Sequence, residues 1–93
     1  MRNFKIWKYQ LKNKFNYIQM PLGSKILSIQ NQNDEPTIWV MVNIDEGILE
    51  TRIFNAYVTG EKLFLSEEHL RFEFIGTVQN SEGFVIHVFE KLK

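Results

Sequence analysis

"TIWVMVNI" (Thr37 to Ile44) is the stretch on which the fold turns. Side chains alternate across a β-strand, so Ile38, Val40, Val42 and Ile44 share one face while Trp39 and Met41 share the other. Both faces are apolar. "FVIHVF" (Phe84 to Phe89) repeats the pattern, with Phe84, Ile86 and Val88 on one side and Val85, His87 and Phe89 on the other. A strand that is apolar on both faces is normally covered on both, and this chain offers almost no helix as a cover. The alternatives are a sandwich of the chain's own strands, or a second subunit or partner lying on the outer face.

Working outward, "FKIWKYQL" (Phe4 to Leu11), "FNYIQM" (Phe15 to Met20) and "KILSIQ" (Lys25 to Gln30) each read as strands. "NQNDEP" (Asn31 to Pro36) is dense in turn formers. Thr37 to Ile44 and "LETRIFNAYVT" (Leu49 to Thr59) flank a short "DEG", which reads as a hairpin. "LRFEFIGTVQ" (Leu70 to Gln79) and "FVIHVFEKL" (Phe84 to Leu92) flank "NSEG", a second hairpin with Gly83 taking the positive φ. Helical spacing occurs only over Lys62 to Phe72, where Ser66 would cap one or two turns. The expected fold is all-β: residues 1–93 form one antiparallel barrel or sandwich of about seven strands, in meander order, with at most one short helical turn.

Composition bounds the function. The 93 residues are 44% hydrophobic and 14% aromatic, enough for one core and too few for two. Eleven basic residues balance eleven acidic ones, so no global field draws the chain to nucleic acid or anionic lipid. The charge is nonetheless segregated: Arg2, Lys5, Lys8, Lys12 and Lys14 all precede the first acid, Asp34. With no cysteine there is neither a disulfide framework nor a thiolate metal site. No stretch reads as a signal peptide or membrane span, so a cytoplasmic protein is expected.

No catalytic or metal-ligand spacing occurs, and the chain reads as non-enzymatic, without cofactor or metal. Glu67, Glu68 and His69 are adjacent and point different ways, which does not make a zinc or iron site. The candidate ligand-binding residues are of three kinds. Trp7, Tyr9 and Trp39 offer flat rings to stack on a base or planar ligand, as does Tyr57. Lys25 and Arg52, with Lys5 and Lys8, could meet phosphate. Ser24 and Lys25 remain as donors in "MPLGSKILSIQ" (Met20 to Gln30) once Pro21 and Gly23 are explained by the turn, and His87 is a strand histidine at the core or an interface.

"IWKYQL" (Ile6 to Leu11), "MPLGSKILSIQ", the tryptophan of "IWVMV" (Ile38 to Val42), "FIGTVQ" (Phe74 to Gln79) and "IHVFE" (Ile86 to Glu90) come in an order that spans nearly the whole chain. Together they resemble a family of small phage and prophage proteins with IWKYxL, MPxGAKILSxQ, YIGTxQ and FHxFE segments. Ser24 stands where that family usually has alanine, and "YVTGEK" (Tyr57 to Lys62) where it often has a GTG-type turn. The resemblance implies a phage accessory protein and no activity. The expectation is a homo-oligomeric binding protein in the host cytoplasm that counters a host function such as defence, by holding a host protein or sequestering a nucleotide-like small molecule. The rival expectations are a nucleic-acid-binding module using the basic first strands and a minor virion component.

Overall fold

A computed structural model describes residues 2–63 and 71–92. Among these residues seven strands are present: β1 (Phe4–Gln10), β2 (Phe15–Pro21), β3 (Lys25–Gln32), β4 (Glu35–Asn43), β5 (Leu49–Val58), β6 (Phe72–Gln79) and β7 (Val85–Lys91). They form two antiparallel sheets, a three-stranded one ordered β1-β4-β3 and a four-stranded one ordered β2-β5-β7-β6. The architecture is a sandwich, all-β as expected, and not a closed barrel. The helical turn expected around Ser66, with Glu67, Glu68 and His69, lies outside the described residues.

Two expectations are corrected. The strands do not follow one another as a meander, and β4 and β5 are not a hairpin, because they lie in different sheets. Both edges of β4 are already occupied, by β1 and β3, which leaves no edge for β5. The link Ile44 to Ile48 instead carries the chain between sheets. It is shaped by Asn43, whose Oδ1 accepts from the Asp45 N–H at 3.0 Å, and by Glu46, whose carboxylate accepts from the Ile48 N–H at 3.0 Å. The hairpin partner of β4 is β3, through a tight turn at Asn33 and Asp34 with φ of 51° and 65°. Positive φ at both central residues suits the right-handed twist of the flanking strands, and Asn and Asp are the non-glycine residues that tolerate it best. The β6–β7 hairpin forms as expected, with Gly83 at φ 87°.

The core lies between the sheets. Ile38, Val40 and Val42 of β4 meet Phe54 of β5, Val88 of β7, Met20 and Leu11, all essentially inaccessible to solvent. Trp39 and Met41 look outward and are only half-buried.

The sheets also touch along one side, where β3 runs beside β6. At the hairpin tips the seam is tied shut: Asn31 Nδ2 donates to the Gln79 carbonyl at 2.7 Å, and the Ser81 N–H and hydroxyl both donate to the Asp34 carboxylate at 2.8 Å. Midway, Gly76 lets β6 approach so closely that any added Cβ would collide with Ile29 Cγ2. Each strand then carries a bulge, between Ile26 and Ser28 in β3 and between Phe74 and Gly76 in β6, beyond which they part.

The Ser81 N–H, followed by its hydroxyl, holds the Asp34 carboxyl below its ordinary value of 3.8. A carboxyl depressed in the folded state stabilises above its unfolded pKa and loses that contribution as pH falls through the folded one. The tie therefore holds at neutral pH and weakens in acid. In an NMR titration Asp34 should show a midpoint below that of a model aspartate, and Ser81→Ala should move it upward; an unchanged midpoint would remove the tie as its cause.

Candidate functional site

Where β3 and β6 part, the seam opens into a cleft of about 400 Å³ lined by Lys25, Leu27, Ser28, Arg52, Glu73 and Phe74, among others. Arg52 stands on its floor. Its register position on β5 faces the other sheet together with Phe54 and Ala56, and Glu90, which pairs with Phe54, lies diagonally across on the same face of β7 as Ile86 and Val88. Arg52 meets Glu90 in a two-pronged pair, Nε to Oε2 at 2.6 Å and Nη2 to Oε1 at 2.8 Å. Hydrogen bonding to Glu90 raises the Arg52 pKa above its ordinary value, burial opposes this, and the charges of Glu90, Glu50 and Glu73 add to the rise.

The remaining donor, Nη1, goes to the Ser24 carbonyl. The turn between β2 and β3 is thus held from beneath by two neighbours on β5, since Glu50 also accepts the Gly23 N–H at 2.9 Å. Gly23 takes φ 80°, and the Ser24 hydroxyl closes the turn on the Pro21 carbonyl at 2.6 Å. Ser24, Lys25 and Arg52 are therefore gathered at one place, but with different duties. Arg52 has every nitrogen engaged inside the protein, so a phosphate would have to displace Glu90 to reach it. Ser24 is buried and ties its own turn, and only Lys25 is exposed at the rim.

Sequence reasoning missed Glu90. The available signal was its parity: an acid two residues beyond Val88, on the face that holds Ile86 and Val88, must find a cation or a donor.

The other candidates lie apart from the cleft. Tyr9 sits opposite Ile38 against the core, where burial pushes its phenol pKa up. Trp39 lies on the outer face of the three-stranded sheet, in register with Lys8 and Ser28. Trp7 pairs with Val40, on the core-facing side of β1, yet is 42% exposed. His87 is on the outer face of the four-stranded sheet with both ring nitrogens engaged, Nε2 by the Thr59 hydroxyl at 2.6 Å and Nδ1 by the Thr77 hydroxyl at 2.9 Å.

That outer face is the second feature of the site. Cross-strand register sets Tyr17, Ile53, Lys91 and Phe72 in one row and Phe15, Asn55, Phe89 and Phe74 in the next. The Phe89 ring is 5.3 Å from Phe74 and 6.1 Å from both Phe72 and Tyr57, forming a continuous aromatic band. Tyr17 and Phe74 are 69% and 56% exposed. Within the band, Asn55 is buried, and its Oδ1 has no hydrogen-bond partner among the described residues. Lys14 lies 5.5 Å from the Tyr57 ring centre and pairs with Glu61.

Among the described residues no three His, Asp or Glu side chains converge as a metal site, and no helix is long and apolar enough to cross a membrane. Among the described residues, more large apolar side chains stand exposed than are buried in the core.

A family model described as Domain of unknown function (DUF7352) matches residues 2–93. No curated protein matches the chain, and no solved structure does.

Proposed function

Since the chain belongs to the DUF7352 family, whose description carries no activity, the reading rests on surface chemistry, and we propose a non-enzymatic binding protein. In this reading it is a phage accessory protein that acts in the host cytoplasm as a homo-oligomer and counters a host function, defence included, by holding a host protein. The phage setting comes from the sequence resemblance. The observation that carries the binding role is the aromatic band of the four-stranded sheet, where Phe15, Tyr17 and Phe74 are each at least half exposed. Solvent-exposed aromatic rings side by side are what interface centres are made of, and a single well-placed one contributes about 2 kcal/mol or more to association.

A protein is favoured over a nucleotide-like ligand by the chemistry of the cleft. Arg52, the cation best placed for phosphate, is paired with Glu90, and Glu73 brings further negative charge. Nucleic acid is disfavoured by the balanced charge.

The test is capture of a host protein by the immobilised wild type compared with Tyr17→Ser and Phe15→Ser. These sites are exposed, so melting temperature should hold, while affinity for the captured protein falls by roughly thirtyfold, the equivalent of about 2 kcal/mol. Equal capture by both variants would dismiss this face as the binding surface.

A further inference from the structure

Among the described residues no strand pairs with the outer edge of the basic first strand. The Leu11 N–H donates to the Pro36 carbonyl at 2.8 Å and the Ile44 N–H to the Asn3 carbonyl at 3.0 Å. Backbone groups alternate along an antiparallel ladder, so the odd-numbered residues of β1 turn theirs to β4, and Phe4, Ile6, Lys8 and Gln10 turn theirs to the open side. Phe4 to Lys8 are all exposed. The other end of the same sheet, β3, is occupied by the seam with β6. The neighbouring free edge, β2, is less suited to pairing: Lys14 and Leu22 bond toward β5, which puts Pro21, with no N–H to give, in its outward row.

Trp7 supplies the second observation. It shares the core-facing side of its sheet with Val40 and Ile26, the one a fully buried core residue and the other packed against the core. Even so, it remains 42% exposed, because the sheet ends there. A tryptophan on the core side of a bare edge is what a continuing sheet would cover.

We infer that β1 is the joint of a symmetric dimer, pairing antiparallel with β1 of a second copy so that the two three-stranded sheets become one. The inference rests on the oligomeric reading above and specifies its surface. A twofold axis normal to the sheet keeps core-facing residues on the core side, so the pairing must centre on a single residue. Centring on Lys5 or Lys8 would set lysine against lysine. Centring on Ile6 leaves Gln10 without a counterpart in β1. Centring on Trp7 matches every outward-facing residue, Phe4 with Gln10 and Ile6 with Lys8, and on the core side places Lys5 against Tyr9 and the two tryptophans against each other. The lysines exclude two registers and the strand's length a third, and in the Trp7-centred one each lysine meets an aromatic or aliphatic neighbour over which its stem can lie.

Why a second copy and not a foreign strand follows from this self-complementarity: the strand contains two cations and no acid, yet pairs with itself without opposing them.

Light scattering on the full chain should give the mass of two chains at micromolar concentration. Ile6→Pro removes one outward N–H and leaves the ladder to β4 intact, and it should weaken dimerisation at least about a hundredfold. Independently, the chain contains no cysteine, so Trp7→Cys introduces a single thiol. Opposed residues at a non-hydrogen-bonded antiparallel position have Cα atoms about 4.5 Å apart, within disulfide range, and mild oxidation should yield a covalent dimer. A monomeric wild type would overturn both the joint and the oligomeric reading. A wild-type oligomer that survives Ile6→Pro and leaves the Trp7→Cys thiol uncrosslinked would overturn the joint alone.

Discussion

Replacing Arg52 by alanine is expected to lower folding stability by about 3–5 kcal/mol, the usual consequence of stranding one member of a buried ion pair. Glu90 is the stranded group: its side chain is 7% exposed, and both of its oxygens are held by the guanidinium. The same change frees the Ser24 carbonyl and loosens the β2–β3 turn. For a domain of this size, whose total stability is of order 5–15 kcal/mol, that is a large fraction. Urea titration followed by tryptophan fluorescence reads the loss directly. The double variant Arg52→Met with Glu90→Leu should recover most of it, because apolar replacements leave no uncompensated charge. A loss below about 1 kcal/mol in Arg52→Ala would mean that water reaches Glu90 well enough to replace its partner.

Gly76→Val should be the next most damaging change, at about 2–3 kcal/mol, through overpacking. The obstructing atom, Ile29 Cγ2, hangs directly on a β-branched carbon and has no flexible stem with which to retreat. Either β6 moves away from β3 or Ile29 leaves its rotamer. For a domain of about 90 residues each kcal/mol lowers the melting temperature by roughly 4–8 °C, so the effect is visible by calorimetry. Shortening the obstacle with Ile29→Ala should restore part of the loss in Gly76→Val while costing stability on its own, a sign reversal that identifies the collision.

The strands were legible because alternation is local. Val40 and Val42 announce a two-faced strand whatever their neighbours, and Gly83 marks its hairpin unaided. Strand partnership was not. "DEG" looks like a hairpin loop, but whether Thr37 to Ile44 turns back on Leu49 to Thr59 depends on which strands claim its edges, and β1 and β3 claim both. The tight turn at Asn33 and Asp34 lacks the glycine that would have singled it out from "NQNDEP". At the site, Lys25 and Arg52 stood out as cations, but the role of Arg52 is set by Glu90, 38 residues away, across a register that alternation does not specify. Trp7, marked as a stacking ring, proved to sit on the core side of an edge, a placement only the sheet order reveals.

The distribution of strands between the sheets bears on how the chain folds. β1, β3 and β4 form one sheet and β2, β5, β6 and β7 the other, so the chain passes between sheets at Leu11–Lys14 and Leu22–Ser24 before the first is complete, and again at Ile44–Ile48 before the second is. Phe4 finds Asn43 only after most of the first half has been laid down, and Phe15 finds Asn55 later still. Contacts this distant must close long loops before they stabilise anything, which places folding in the millisecond-to-second range. A nascent chain halted after β4 holds three strands of one sheet with half their core uncovered, so the protein commits to its structure only once β7 has emerged.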